Sequence, residues 1–328
     1  MQPSIAIITM VYNEDVLLPI WLRYYGAHLG REHLYVIDDG SNDGSTTGLE
    51  GVNVIRLERA PIDEDNRSLA IGLFHEQMLK QYDVVIFTDV DELLVPDPLT
   101  KLGLVDYIAR HAGAHTNAIG LEIIHNQFDE PVYSQEIGVF GQRRYVRFSR
   151  FYCKQLIHRQ PVTWVPGFHS TNHEPVVGVG LYLFHLRSLD YELSRKRVSN
   201  WNNLAWSERS LRKGQGAQIR MSDVDYLKTH FLGAASAFDR AASESEFNDF
   251  VARVAHLIPR LPIGDGVFAG LGQPLLTLPA RFRDTLPAVV HATVQDAERG
   301  PAKVPAADAQ AMYFAARDRI RREGLRYH

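Results

Sequence analysis

The chain has 328 residues, 45% of them hydrophobic, enough to bury one large core or two modest ones. Its 35 basic and 39 acidic residues leave a formal charge of −4, which argues against a nucleic-acid partner. The single cysteine, Cys153, excludes an internal disulfide framework and fits a reducing compartment.

The N-terminus runs straight into an apolar strand at residues 5–9, with no leader-like segment before it. Asn13 reads as the N-cap of a helix. Leu17, Trp21, Tyr24 and His28 recur in it at helical spacing, and Gly30 is its stop. A second strand, residues 33–37, ends in Asp38, Asp39 and a glycine- and serine-rich loop. Residues 52–57 read as a third strand and 66–80 as a helix with Ile71, Phe74 and Met78 on one face. Val84, Val85, Ile86 and Phe87 form a fourth, buried strand that stops in Asp89, Asp91 and Glu92. Leu102, Val105 and Ala109 mark a third helix, residues 118–124 a fifth strand, and 176–186 a strand pair. From about residue 233 the composition turns helical, broken at Pro259, Pro262, Pro274 and Pro279. This order predicts a mostly parallel sheet with helices on both faces. Residues 1–232 are the expected working domain and 233–328 a helical appendage. No apolar run approaches the ~18 residues of a membrane span, so a cytoplasmic protein is expected.

Ligands of open α/β sheets sit beyond the carboxyl ends of the strands, where both acidic clusters fall. Asp89 and Asp91 are two apart, so in an extended segment both point to one side. Such oxygen donors suit Mg2+ or Mn2+ carrying a substrate diphosphate. Asp39 beside Gly40 and Gly44 suits hydrogen bonds from a ribose or a base. Taken singly, each cluster reads first as an ordinary solvated turn.

Together, three segments resemble the GT-A glycosyltransferases, family 2-like and near the family 92-like relatives. They are Ile7 to Glu14 with its Asn13-Glu14 pair, Asp38 to Ser45, and Thr88 to Glu92. The resemblance covers roughly residues 5–190. It implies a GT-A, Rossmann-like fold, a nucleoside diphosphate sugar donor, a divalent metal (Mn2+ or Mg2+) and a glycan or lipid-linked acceptor. It also implies that Asp39 and Asp38 face the nucleoside and that Asp89 and Asp91 hold the metal. The resemblance also implies a late histidine that completes the metal shell or meets the diphosphate. His185 is expected in that role, with His169 nearer the acceptor. Lys154, Ile157, Arg159 and Gly167-Phe168-His169 match a further segment of the family 92-like relatives, which brings Lys154, Arg159 and His169 to the donor.

Inverting transfer needs a carboxylate base. Glu174 is the first choice, with Glu122, Asp129 and Asp190 behind it. Arg143, Arg147, Arg150 and Lys154 would form one basic stripe on a helix. Arg317, Arg319, Arg321 and Arg322 beside Met312, Tyr313 and Phe314 read first as a helix packed on its own domain, with peripheral contact at the inner membrane face as the alternative. The competing functions are a haloacid dehalogenase-like phosphatase and a non-catalytic nucleotide- or carbohydrate-binding module.

Overall fold

The structure is a computed structural model that describes residues 2–111, 113–217, 220–257, 273–286, 288–289 and 296–326. Pro259 and Pro262 lie outside the described residues.

At its centre β1 (Ile5–Val11), β2 (Leu34–Asp38), β3 (Asn53–Arg56) and β4 (Val84–Phe87) lie in the order β3, β2, β1, β4, all parallel. Alternate residues of β1 serve opposite cores. Ile5 and Ile7 pack with α1 (Leu17–Leu29), Ala6 and Ile8 with α2 (Glu64–Met78). Burial on both faces explains why these strands read as unbroken apolar runs.

Asn13 does not cap α1. The helix begins at Leu17 with Val16 at the cap position, while Asn13 adopts a positive φ of 55°. Its Oδ1 accepts from Asn42 N at 2.8 Å and its Nδ2 donates to Asn42 Oδ1 at 2.9 Å, joining the loops after β1 and β2. The cap the sequence reading missed is Asp63, which accepts from Asn66 N at 3.0 Å and starts α2.

After β4 the chain turns within residues 88–91 into β5 (Glu92–Pro96), then runs through α3 (Leu104–His111) to β6 (His115–Ile124). Next come α4 (Val139–Gln142), β7 (Tyr145–Phe148), β8 (Gln155–His158) and β9 (Val177–Ser188). β8 lies antiparallel between β4 and β6, and β7 flanks β6 antiparallel. β9 runs parallel to β6 and antiparallel to β5. The expected strand pair at 176–186 is therefore one long strand. The expected basic helical stripe is absent, because Arg147 lies in β7, Arg150 opens a short turn and Lys154 sits just before β8.

The chain continues through α5 (Tyr191–Asn202), α6 (Glu208–Arg212), α7 (Asp223–His230), α8 (Glu244–Leu257), β10 (Leu275–Thr277) and α9 (Ala306–Glu323). β10 joins the sheet beside β7. Tyr313 and Ile320 of α9 are buried in the same core as Phe74 and Met78 of α2. No helix among the described residues is long and apolar enough to cross a membrane.

Candidate active site

The carboxyl ends of β1, β2 and β3 open into a cavity of about 530 Å3, inside the range of about 300–1,000 Å3 for small-molecule sites. Asp39 and Glu14 line it, with Arg59 and Arg67 on one wall and Arg317 of α9 on another. Asp39 is ion-paired to Arg59, whose guanidinium also covers the Tyr12 ring at 4.0 Å. Burial raises the Asp39 carboxyl above its ordinary value, against the pull of Arg59, Arg67 and Arg317.

Asp38 takes a different place from the one expected. Its buried carboxylate accepts from Ser41 N at 2.8 Å, Thr46 Oγ1 at 2.7 Å and Arg56 Nη1 at 3.0 Å. Those bonds shape the loop that carries Asp39, and Asp38 is not among the residues lining the cavity.

Next to this cavity lies a buried cluster of charges. Asp89 and Asp91 do not share one side, because residues 88–91 form a turn and not an extended strand. Glu92 Oε2 accepts from Asp89 N at 3.1 Å, and Glu92 N donates to Asp89 O at 3.0 Å. The turn sends the two carboxylates to different partners. Asp89 Oδ2 meets Lys154 Nζ at 2.9 Å and Asp89 Oδ1 meets Arg67 Nη2 at 3.4 Å. Burial works against its charge, yet Lys154 and Arg67 prevail and hold its carboxyl well below the usual carboxylate range.

Asp91 Oδ2 meets Arg197 of α5 at 3.3 Å, and Arg197 also holds Glu14 at 2.8 Å. Burial pushes the Glu14 carboxyl up to about 6 in spite of Arg197. Asp91 Oδ1 faces His185 Nε2 at 3.6 Å, beyond hydrogen-bond reach. The His185 ring stacks on Tyr152 at 3.9 Å, and burial lowers its pKa to about 3, so it is a neutral imidazole. Arg67 and Glu14 line the cavity and also contact the cluster, so cavity and cluster adjoin.

His169 comes near this centre. Its Nδ1 bonds Phe151 O at 2.9 Å, and burial, then Lys154, lower its pKa to about 4. Arg159 does not reach it. Lys154 and Arg159 flank opposite ends of β8, five residues or about 16 Å of strand apart. Arg159 Nη2 instead donates to Ile108 O at 3.1 Å, at the far end of the sheet.

The candidate bases separate in the same way. Glu174 is exposed, and its carboxylate has no hydrogen bond or ion pair among the described residues. Asp129 is exposed and paired to Arg144. Asp190 caps α5 and pairs with Arg143 at 3.1 Å, a structural task. Glu122 alone stands beside His185. Burial opposes its charge, but His230 and Arg147 outweigh burial and hold it far below the usual carboxylate range.

Sequence reasoning missed Glu92, Arg67 and Arg197, which organise the cluster. Among the described residues no group of three or more His, Cys, Asp or Glu side chains is placed to hold a metal ion. The pair Asp91 and His185 still suits one. A carboxylate oxygen and a neutral imidazole nitrogen confront each other without a hydrogen bond, and both are donor types that Mn2+ accepts.

No family model matches the sequence, and no curated protein matches it. Solved structures that resemble the fold in part include the mannosyltransferase PcManGT from Pyrobaculum calidifontis, in complex with GDP-Man and Mn2+. It is 21% identical over 39% of this chain and 36% of its own, with a TM-score of 0.25. A mannose-1-phosphate geranyltransferase from Thermus thermophilus is 11% identical over 71% of this chain and 72% of its own, at 0.27. The glycosyltransferase GlyE of Streptococcus pneumoniae is 10% identical over 98% of this chain and 64% of its own, at 0.22. The match to the first spans about a third of that protein. The first and third are glycosyltransferases by name and the second a geranyltransferase named for mannose-1-phosphate, but TM-scores this low transfer neither fold nor activity to this chain. The chain is a mixed α/β protein with a parallel central sheet flanked by helices.

Proposed function

We propose that this protein is a glycosyltransferase of GT-A type that moves a sugar from a nucleoside diphosphate donor to a hydroxyl acceptor. The observation that carries the reading is the cavity at the carboxyl ends of β1–β3, lined by Asp39, adjoining the Asp89/Asp91/His185 cluster. Asp39 accepts from the nucleoside, and Arg67 and Lys154 fix Asp89 where the diphosphate passes. A divalent ion would be held by Asp91 and His185, with diphosphate oxygens and water as its remaining ligands. When bound, such an ion neutralises charge on the departing diphosphate. The buried setting keeps His185 neutral and so able to ligate.

The chain's own residues do the rest. Glu92 closes the turn that separates Asp89 from Asp91. Arg197 orients Asp91 through one guanidinium shared with Glu14. Glu174 remains the proposed base only if acceptor binding brings its exposed segment inward.

The test is a panel of nucleoside diphosphate sugars with and without Mn2+, read by thermal shift and by release of nucleoside diphosphate. A metal-dependent donor shift that Asp91→Asn abolishes, with the fold intact, is the expected result. Wild-type turnover in excess EDTA, or no shift with any donor, would refute the reading.

A further inference from the structure

Beside Asp91 a second set of polar groups converges, none of them among the residues lining the cavity. β9 carries His185 and Arg187 two residues apart, so both side chains point the same way. α7 brings in Tyr226 and His230, whose rings lie 4.4 Å apart. β6 and β7 supply Glu122 and Arg147, paired at 2.8 Å.

Most charges here have partners. Arg147 answers Glu122, and Arg197 answers Glu14 and Asp91. Arg187 answers none: the residue is half-buried, its side chain makes no hydrogen bond or ion pair among the described residues, and its Nε is shut off from solvent. Tyr226 is 0% exposed, and its hydroxyl also lacks a partner. Leaving such a group unsatisfied costs about 1–3 kcal/mol, and natural proteins rarely tolerate it without a reason.

We propose that Arg187 and the Tyr226 hydroxyl form an oxyanion-binding subsite beside Asp91. A guanidinium only donates, so the missing partner must be an acceptor. The Tyr226 phenol is pushed up to about 12 by burial and stays protonated, so it too can donate. Burial opposes the Arg187 charge, but Tyr152, Tyr226, Glu122 and Asp91 around it keep the guanidinium ionised. The ligand is an oxyanion of the substrate, either the terminal phosphoryl group of a diphosphate or a sugar carboxylate. Assigning it to a substrate rests on the function proposed above; the subsite itself does not.

The experiment titrates the full chain with inorganic pyrophosphate, with glucuronate and with glucose as the neutral control, by calorimetry. Wild type, Arg187→Gln and Tyr226→Phe are compared. We expect one of the two anions to bind wild type and glucose to fail. Both variants should weaken that anion about tenfold, the loss of one charge-assisted hydrogen bond. Which anion binds identifies the source. Tyr226→Phe should unfold at the same temperature or higher without ligand, because it removes an unsatisfied hydroxyl. A purely structural tyrosine would show that stability and unchanged anion affinity, and this would overturn the subsite, as would neither anion binding wild type. Nucleotide binding at the cavity is read separately through Asp39→Ala, so failure there leaves this result intact.

Discussion

Lys154→Met is the sharpest perturbation of the charge cluster. Lys154 is 1% exposed, with Nζ 2.9 Å from Asp89 Oδ2 and 2.5 Å from Glu92 Oε1. Methionine keeps most of the stem volume and removes only the charge. Asp89 retains Arg67 at 3.4 Å, so Glu92, which is 0% exposed, bears most of the loss. Removing one partner of a buried ion pair costs about 3–5 kcal/mol, and we expect a loss in that range by urea unfolding. Adding Glu92→Gln should recover about 1–3 kcal/mol, because the orphaned charge is then gone. The deficit should also depend on pH. Burial raises the Glu92 carboxyl and Lys154 pulls it back, so without Lys154 its folded value rises further. A raised carboxyl binds more protons folded than unfolded, and stability falls as pH climbs through its folded value. The single variant should therefore be closer to wild type in mildly acidic buffer than in mildly alkaline buffer. A loss below about 1 kcal/mol, or a double variant weaker than the single, would show that Lys154 is not the counter-charge of Glu92.

Asp39→Ala should weaken nucleoside diphosphate and donor sugar alike by about 1–3 kcal/mol in calorimetry, and equal affinities would remove Asp39 from the site. Glu14 has a folded value of about 6 against an ordinary 4.5, so its contribution to stability falls as pH rises through that window. Wild type should lose about 1 kcal/mol relative to Glu14→Gln between those two pH values and about 2 kcal/mol over the whole titration, and parallel stability curves would contradict the shift. His169 and His185, lowered to about 4 and 3, stay neutral across the physiological range. Activity should therefore show no histidine limb near about pH 6.5, and a limb there that His185→Ala abolishes would count against a buried, neutral His185. Gly120→Ala should cost about 1–3 kcal/mol and loosen the site, because the new Cβ would meet the Tyr152 backbone and lie 2.6 Å from Ser149 O, moving the ring stacked on His185; unchanged unfolding would refute that contact.

The parts of the fold that were legible in the sequence are those set by local pattern. β1, β2 and β4 are apolar runs, β2 and β4 running into acids, and that order alone put the two acidic clusters at strand ends. What could not be read was where each side chain turned. The direction of Asp89 against Asp91 depends on Glu92 closing a turn, and nothing in an Asp-x-Asp-Glu string distinguishes a turn from a strand continuation. Arg197 is separated from Asp91 by 106 positions, and on its helix it looks like any surface arginine. Arg159 was misplaced for the opposite reason: it sits close to Lys154 in sequence, but an extended strand carries the two to opposite ends of the sheet. The C-terminal region shows the same limit. Its helical composition was visible, yet α9 packs its Tyr313 and Ile320 into the core shared with α2 and lines the cavity with Arg317. The packed helix weighed against a membrane-facing tail is what α9 forms, with Arg317 and Arg321 lining the cavity. Local pattern fixes which elements exist; long-range ion pairs fix which of their charges face the chemistry.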